Sequence, residues 1–228
     1  MTTTPDFSDE SLLEGTVELI KRFEASLPDR VDPAGMTHKS KIPFRVMSLR
    51  ELLIHRVTVL SRSALEQYEQ ELRVPAFILI RSVVETTAVL SRLTSELESF
   101  LESKDVDTLD EFLIKGLDGG REGDERATVA SINVMTLVNH MDTQFEGFKT
   151  MYAVLCEYAH PNFMGTLDSF GRQDHENIWL DLGKEVTNPP AAFGLAPFYF
   201  SLLIFEEKYN AMQGLFEAVN EHFESNGK

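Results

Sequence analysis

Arg81 and Glu85 stand four positions apart inside residues 74–93, VPAFILIRSVVETTAVLSRL, a stretch that is otherwise apolar nearly all the way round. A helix of that composition belongs at the centre of a bundle, and a spacing of four puts both charges on one of its faces. Arginine and glutamate are seldom buried without a partner, because desolvating a lone charge is expensive. The arginine comes first, the less favourable order for a helical pair, so helix propensity alone does not account for it. Two chemistries fit. One is an ion pair that fixes helix register or lines a subunit interface. The other is a site wall, in which Arg81 binds an anion or orients a polar group.

His160 is the other residue with chemical potential. Phe145, Phe148, Tyr152, Leu155 and Ala159 recur at spacings of three and four, the core face of a helix. Lys149, Ala153, Cys156 and His160 form the adjoining strip. At a helix C-terminus the macrodipole favours an imidazolium, and the ring can cap the last carbonyls. If His160 faces Arg81 and Glu85 across the bundle, the three become a catalytic candidate, with Glu85 holding the imidazole tautomer. Glu157 and His160 also match half of a di-iron carboxylate motif, but such sites need a second Glu-x-x-His, which the chain lacks, and no metal is expected. Cys156 and His160 have the spacing of a thiolate pair, against which stands the habit of cysteine to act as a small buried hydrophobe. There is no dinucleotide or P-loop glycine motif and no nucleophile elbow, so no cofactor is expected.

The elements that must position these residues are helical. Periodicity and caps predict helices over residues 8–25, 46–72, 75–101, 108–117, 127–141, 143–159 and, from near Pro190 to Pro197, on to about residue 223. Residues 28–44 read as a long loop punctuated by Pro33, Gly35 and Pro43, and 118–123 as a turn. Between 165 and 183 the texture changes: residues 166–170 and 177–182 read as the strands of a small β-hairpin flanking Gly171 to His175. The expected fold is a mainly all-α bundle of six to seven helices, one domain over residues 1–228, with the hairpin inserted before the last helix and residues 1–7 disordered.

Composition sets the outer limits. With 228 residues and 43% hydrophobic content the chain can bury a sizeable core. No apolar run is expected to reach the roughly 18 residues of a membrane span, the longest candidate lying around Phe198 to Phe205. The first residues resemble no secretory signal, and the single Cys156 excludes an internal disulfide. These features predict a cytoplasmic protein with no membrane partner. A formal charge of −16 argues against broad, non-specific DNA binding, which depends on neutralising phosphates.

The Arg81-Ser-Val-Val-Glu85 helix, with Tyr152 and the Glu157-Tyr-Ala-His-Pro-Asn162 helix end, resembles the HEPN-like helical-bundle superfamily over about residues 49–223. It is most similar to bacterial groups of undescribed function that pair an Arg-x-x-x-Glu helix with a Tyr…His-Pro end. The resemblance implies a homodimer, with RNA or a protein as partner, and makes Arg81, Tyr152 and Asn162 candidates for ligand binding. Many members are metal-independent ribonucleases of toxin or phage-defence type, whose site pairs an arginine with a histidine four to six residues on. No arginine precedes His160 at that distance; the spacing occurs instead at Arg50 and His55. In such a mechanism the imidazole handles the 2′-hydroxyl proton and the arginine stabilises phosphorane charge. Three functions therefore compete: a non-catalytic binding module built round Arg81, Glu85 and His160, a ribonuclease, and a structural dimerisation module.

Overall fold

Helix α1 (Asp9–Ser26) begins where the Ser8 side chain accepts a hydrogen bond from the Ser11 amide at 3.3 Å, leaving Leu12, Leu19, Ile20 and Phe23 to face inward. In the computed structural model, residues 8–120, 125–127, 129–183 and 189–226 are described; the disorder expected for 1–7 and the second half (121–123) of the expected 118–123 turn lie outside them. After α1 the chain makes a single 3-10 turn (Pro33–Gly35) and enters α2 (Ile42–Glu69). That helix starts four residues earlier than its sequence pattern suggests. Pro43 lies in the first turn, where its missing N–H costs nothing, so it opens the helix rather than ending the loop. The loop is tied down at several points: the Thr37 amide donates to Asn220 at 2.8 Å, and His55 Nε2 lies 2.8 Å from the Pro28 carbonyl oxygen.

Helix α3 (Arg73–Ser103) is the axis of the bundle, packing against α2, α4 (Val106–Leu117), α5 (Val134–Gln144), α6 (Phe148–Ala159) and α8 (Ala192–Asn226). Phe77, Ile80, Val84, Leu90 and Leu97 are fully enclosed. By length and composition alone α3 is apolar enough to cross a membrane, contrary to the expectation that no run would reach that length; 56% of the stretch is buried within the bundle. Gly194, near the start of α8, lets that helix come close to α3: a Cβ there would lie 2.1 Å from Phe77 Cε1.

Three expectations shift in register. The described residues between 127 and 133 do not begin a helix. Strand β2 (Val129–Ala130) pairs in parallel with β1 (Gly119–Gly120), and α5 starts only after Asn133, whose side chain accepts from the Met135 and Thr136 amides. Between α5 and α6 the chain turns at Gly147, with φ at +90°. The hairpin exists, but its first strand is β3 (Gly171–Asp174), paired antiparallel with β4 (Trp179–Leu182). The expected strand at 166–170 is helical instead, as a π-helical turn (Phe163–Leu167) and the short α7 (Asp168–Phe170). Asn162 caps that turn through the Gly165 amide, and the Thr166 and Ser169 hydroxyls bond back to carbonyls four and five residues earlier, which favours helix over strand. Asp174 closes the hairpin by accepting from the Glu176 and Asn177 amides.

The tight α3–α8 crossing yields a stability prediction. Gly194→Ala pushes a methyl group against the enclosed Phe77 ring, and overpacking of this kind costs about 1–3 kcal/mol. Urea denaturation should show a lower midpoint at unchanged slope.

Candidate functional site

The charged pair on α3 forms as expected, and its third member is a tyrosine. Arg81 Nε donates to Glu85 Oε1 at 3.0 Å and contacts the Tyr152 hydroxyl at 3.2 Å; that hydroxyl donates to the same Glu85 oxygen at 2.7 Å. The two charges are only partly enclosed, with the Arg81 side chain 31% and the Glu85 side chain 22% exposed. Tyr152 is buried on α6, where burial and then its bond to Glu85 push the hydroxyl well above its ordinary pKa, so it stays a donor. Glu85 is thereby held from α3 and α6 together.

Beyond Glu85 lies a cavity of about 260 Å³ between α2, α3, α4 and the approach to α5. Its apolar wall includes Leu53, Val89, Ile132 and Leu137, and its polar wall Arg56, Glu85, Thr86 and Lys115. Arg56 Nε donates to Thr86 Oγ1 at 3.1 Å, and Lys115 pairs with Glu111 at 2.5 Å. A second hollow of about 380 Å³ shares Lys115, Ser131, Ile132 and Leu137 with the first and adds Arg92 and Glu96, so the two make one groove along α3.

His160 does not join this cluster. It is the residue after the last turn of α6, eight positions beyond Tyr152, roughly 12 Å along a helix. Its ring is exposed and makes no hydrogen bond among the described residues. Asn162 is spent on local structure, capping the turn that follows and donating to Glu157 at 2.5 Å. Arg50 and His55 are not brought together either. Arg50 is buried against α8, paired with Glu51, donating to the Tyr209 carbonyl at 3.1 Å and stacked 3.6 Å from the Tyr209 ring centroid. His55 faces the loop at Pro28 instead. Five positions rotate a helix by about 140°, which separates the two side chains.

The arginine–histidine contact that does form was missed by the sequence reading. Arg92 Nη1 lies 3.4 Å from His140 Nδ1, Ser95 Oγ is 3.1 Å from Nε2, and the Gln144 amide is 2.9 Å from the same nitrogen. A guanidinium and a side-chain amide nitrogen both only donate, so one neutral tautomer cannot accept from Arg92 and Gln144 together; acceptance from Arg92 at Nδ1 places the proton on Nε2, where only Ser95 Oγ can receive it. Burial, then the charge of Arg92, lower the His140 pKa; Glu96, which is ion-paired with Arg92, opposes them. A sequence signal for this second cluster exists. Arg92 and Glu96 repeat the Arg-x-x-x-Glu spacing of Arg81 and Glu85 eleven positions on, about three helical turns, so all four lie on one stripe of α3.

Two measurements probe these clusters. Tyr152→Phe removes a donor to a charged acceptor, and calorimetry or urea titration should register a loss of about 1–2 kcal/mol. For His140 the folded pKa lies below the unfolded value of 6.5. Below pH 6.5 the unfolded chain therefore binds more protons, and stability falls as the pH falls through that window. His140→Gln should flatten this part of the profile, read as the difference between the two stability curves from pH 7.5 to 5.

No family model, no curated protein and no solved structure matches this chain.

Proposed function

We propose that this chain is a non-catalytic, HEPN-like helical domain that binds a small ligand in the groove between α2, α3, α4 and α5. The observation that carries this reading is the way the arginines are used. Arg81 is committed to Glu85 and Tyr152, and Arg50 to Glu51 and Tyr209, so neither has a histidine beside it for acid–base work. What these arginines do is build walls: the first supports Glu85 at the edge of a hollow with an apolar floor and a few polar groups, the general form of a small-molecule site. The expected homodimer belongs to the same proposal, with the exposed Ile178, Trp179 and Leu182 side chains of the hairpin as apolar surface that it would bury.

A ribonuclease remains the second reading, moved to Arg92 and His140. Their 3.4 Å contact favours it, as does a neutral imidazole able to take a proton. Against it, both ring nitrogens already have partners within 3.4 Å.

One experiment separates the two. The purified protein is incubated with labelled RNA, and in parallel its melting temperature is followed with fractions of a small-molecule cell extract. The expected outcome is intact RNA and at least one stabilising fraction. Ser131→Trp should abolish that stabilisation, because Ser131 is exposed and lines both hollows, while leaving unliganded stability within about 0.5 kcal/mol. RNA cleavage that disappears in His140→Ala would overturn the binding reading in favour of catalysis.

A further inference from the structure

We infer that the smaller hollow takes a zwitterion of the α-amino-acid class with a short apolar side chain, an inference that rests on the groove being a ligand site. Its two charged walls are held ready and apart. Glu85 Oε1 receives both Arg81 Nε and the Tyr152 hydroxyl, while Oε2 makes no hydrogen bond among the described residues. Arg56 is anchored through Nε on Thr86 Oγ1, and the Thr86 hydroxyl is itself fixed by donating to the Ser82 carbonyl at 2.7 Å. The two terminal nitrogens of Arg56 make no hydrogen bond or ion pair among the described residues, which leaves the fork that grips a carboxylate bidentately. Arg56 and Glu85 line the same hollow, yet no ion pair joins them.

Opposite charges lining one small space without meeting are complementary to a molecule that carries both signs. A carboxylate would sit on the Arg56 fork and an ammonium on Glu85 Oε2. Leu53, Val89, Ile132 and Leu137 would receive the apolar side chain. Lys115 adds little to the choice, since it is engaged with Glu111. The size fits: about 260 Å³ falls below the roughly 300–1,000 Å³ of drug-sized pockets. The balance of charge also ranks the contacts. Arg81 already neutralises Glu85, so Arg56 supplies most of the attraction and Glu85 the selectivity for an amine.

The test is a calorimetric titration with leucine, with 4-methylpentanoate, which lacks the amine, and with 3-methylbutylamine, which lacks the carboxylate. Leucine is expected to bind at least tenfold more tightly than either analogue. Arg56→Gln should reduce leucine to the level of the amine, and Glu85→Gln to the level of the acid, the first loss being the larger. Arg56 is exposed, so its variant folds even if loss of the Glu85 charge unsettles Arg81. Equal binding of leucine and 4-methylpentanoate would make the hollow a simple anion site and overturn the zwitterion. If none of the three binds while Ser131→Trp still abolishes stabilisation by an extract fraction, the ligand class fails and the binding function stands. If no extract fraction stabilises the protein either, both fail.

Discussion

A charge on the central helix of a bundle has to bring its counter-charge with it, and α3 carries four such groups on one stripe. Arg81 with Glu85 and Arg92 with Glu96 are each one turn apart, and neither pair is left to solvent alone. The cost of stripping water from an arginine or glutamate is several kcal/mol per ion unless hydrogen bonds replace it. That constraint decides what may pack against this face of α3. Helix α6 must offer a hydroxyl, which Tyr152 supplies, and α5 must offer an acceptor to Arg92, which His140 supplies. The other faces of α3 have no such demand and take the phenylalanines and leucines of the core.

The same chemical solution recurs elsewhere in the bundle. Arg50, Glu51 and Tyr209 repeat the arginine–glutamate–tyrosine arrangement, again with the phenol donating to the carboxylate. The two clusters differ in access. The Arg50 and Glu51 side chains are only 10% and 8% exposed, and the guanidinium is covered by a ring and a carbonyl. The Glu85 side chain is 22% exposed and belongs to the wall of a hollow. A cluster that is sealed acts as a joint between α2 and α8. A cluster open on one side can present a carboxylate in a fixed place. Access rather than composition distinguishes the two.

Much of this was legible in the residues. The apolar run of α3, its burial, and the pairing of Arg81 with Glu85 follow from period and desolvation cost, which are local properties. Tyr152 was on the core face of its helix by spacing, although its role as the third member of the cluster was not evident. His160 failed for a geometric reason. Which residue of α6 meets Arg81 depends on the height at which two helices cross, and neither sequence contains that height. The hairpin slipped for a different one: residues 166–170 suit a strand by composition, but Asn162 and the hydroxyls of Thr166 and Ser169 supply bonds that only a helical turn can use. Arg92, Glu96 and His140 come together only where α5 packs on α3, and the Arg-x-x-x-Glu spacing carries no signal of which α5 residue will face it.

Net charge is a poor guide to the groove. The chain carries a formal −16, a figure that governs solubility and long-range encounters but is screened beyond about 8–10 Å in physiological salt. Inside the smaller hollow the count is local: Arg56 and Lys115 face Glu85, whose charge is already met by Arg81, while Lys115 is met by Glu111. What remains uncompensated there is Arg56. An acidic protein can therefore hold a hollow whose uncompensated group is a cation, ready for the carboxylate end of a ligand. A zwitterion carries no net charge, so the overall field of the chain would neither draw nor repel it, and the local placement of Arg56 and Glu85 would decide its contacts.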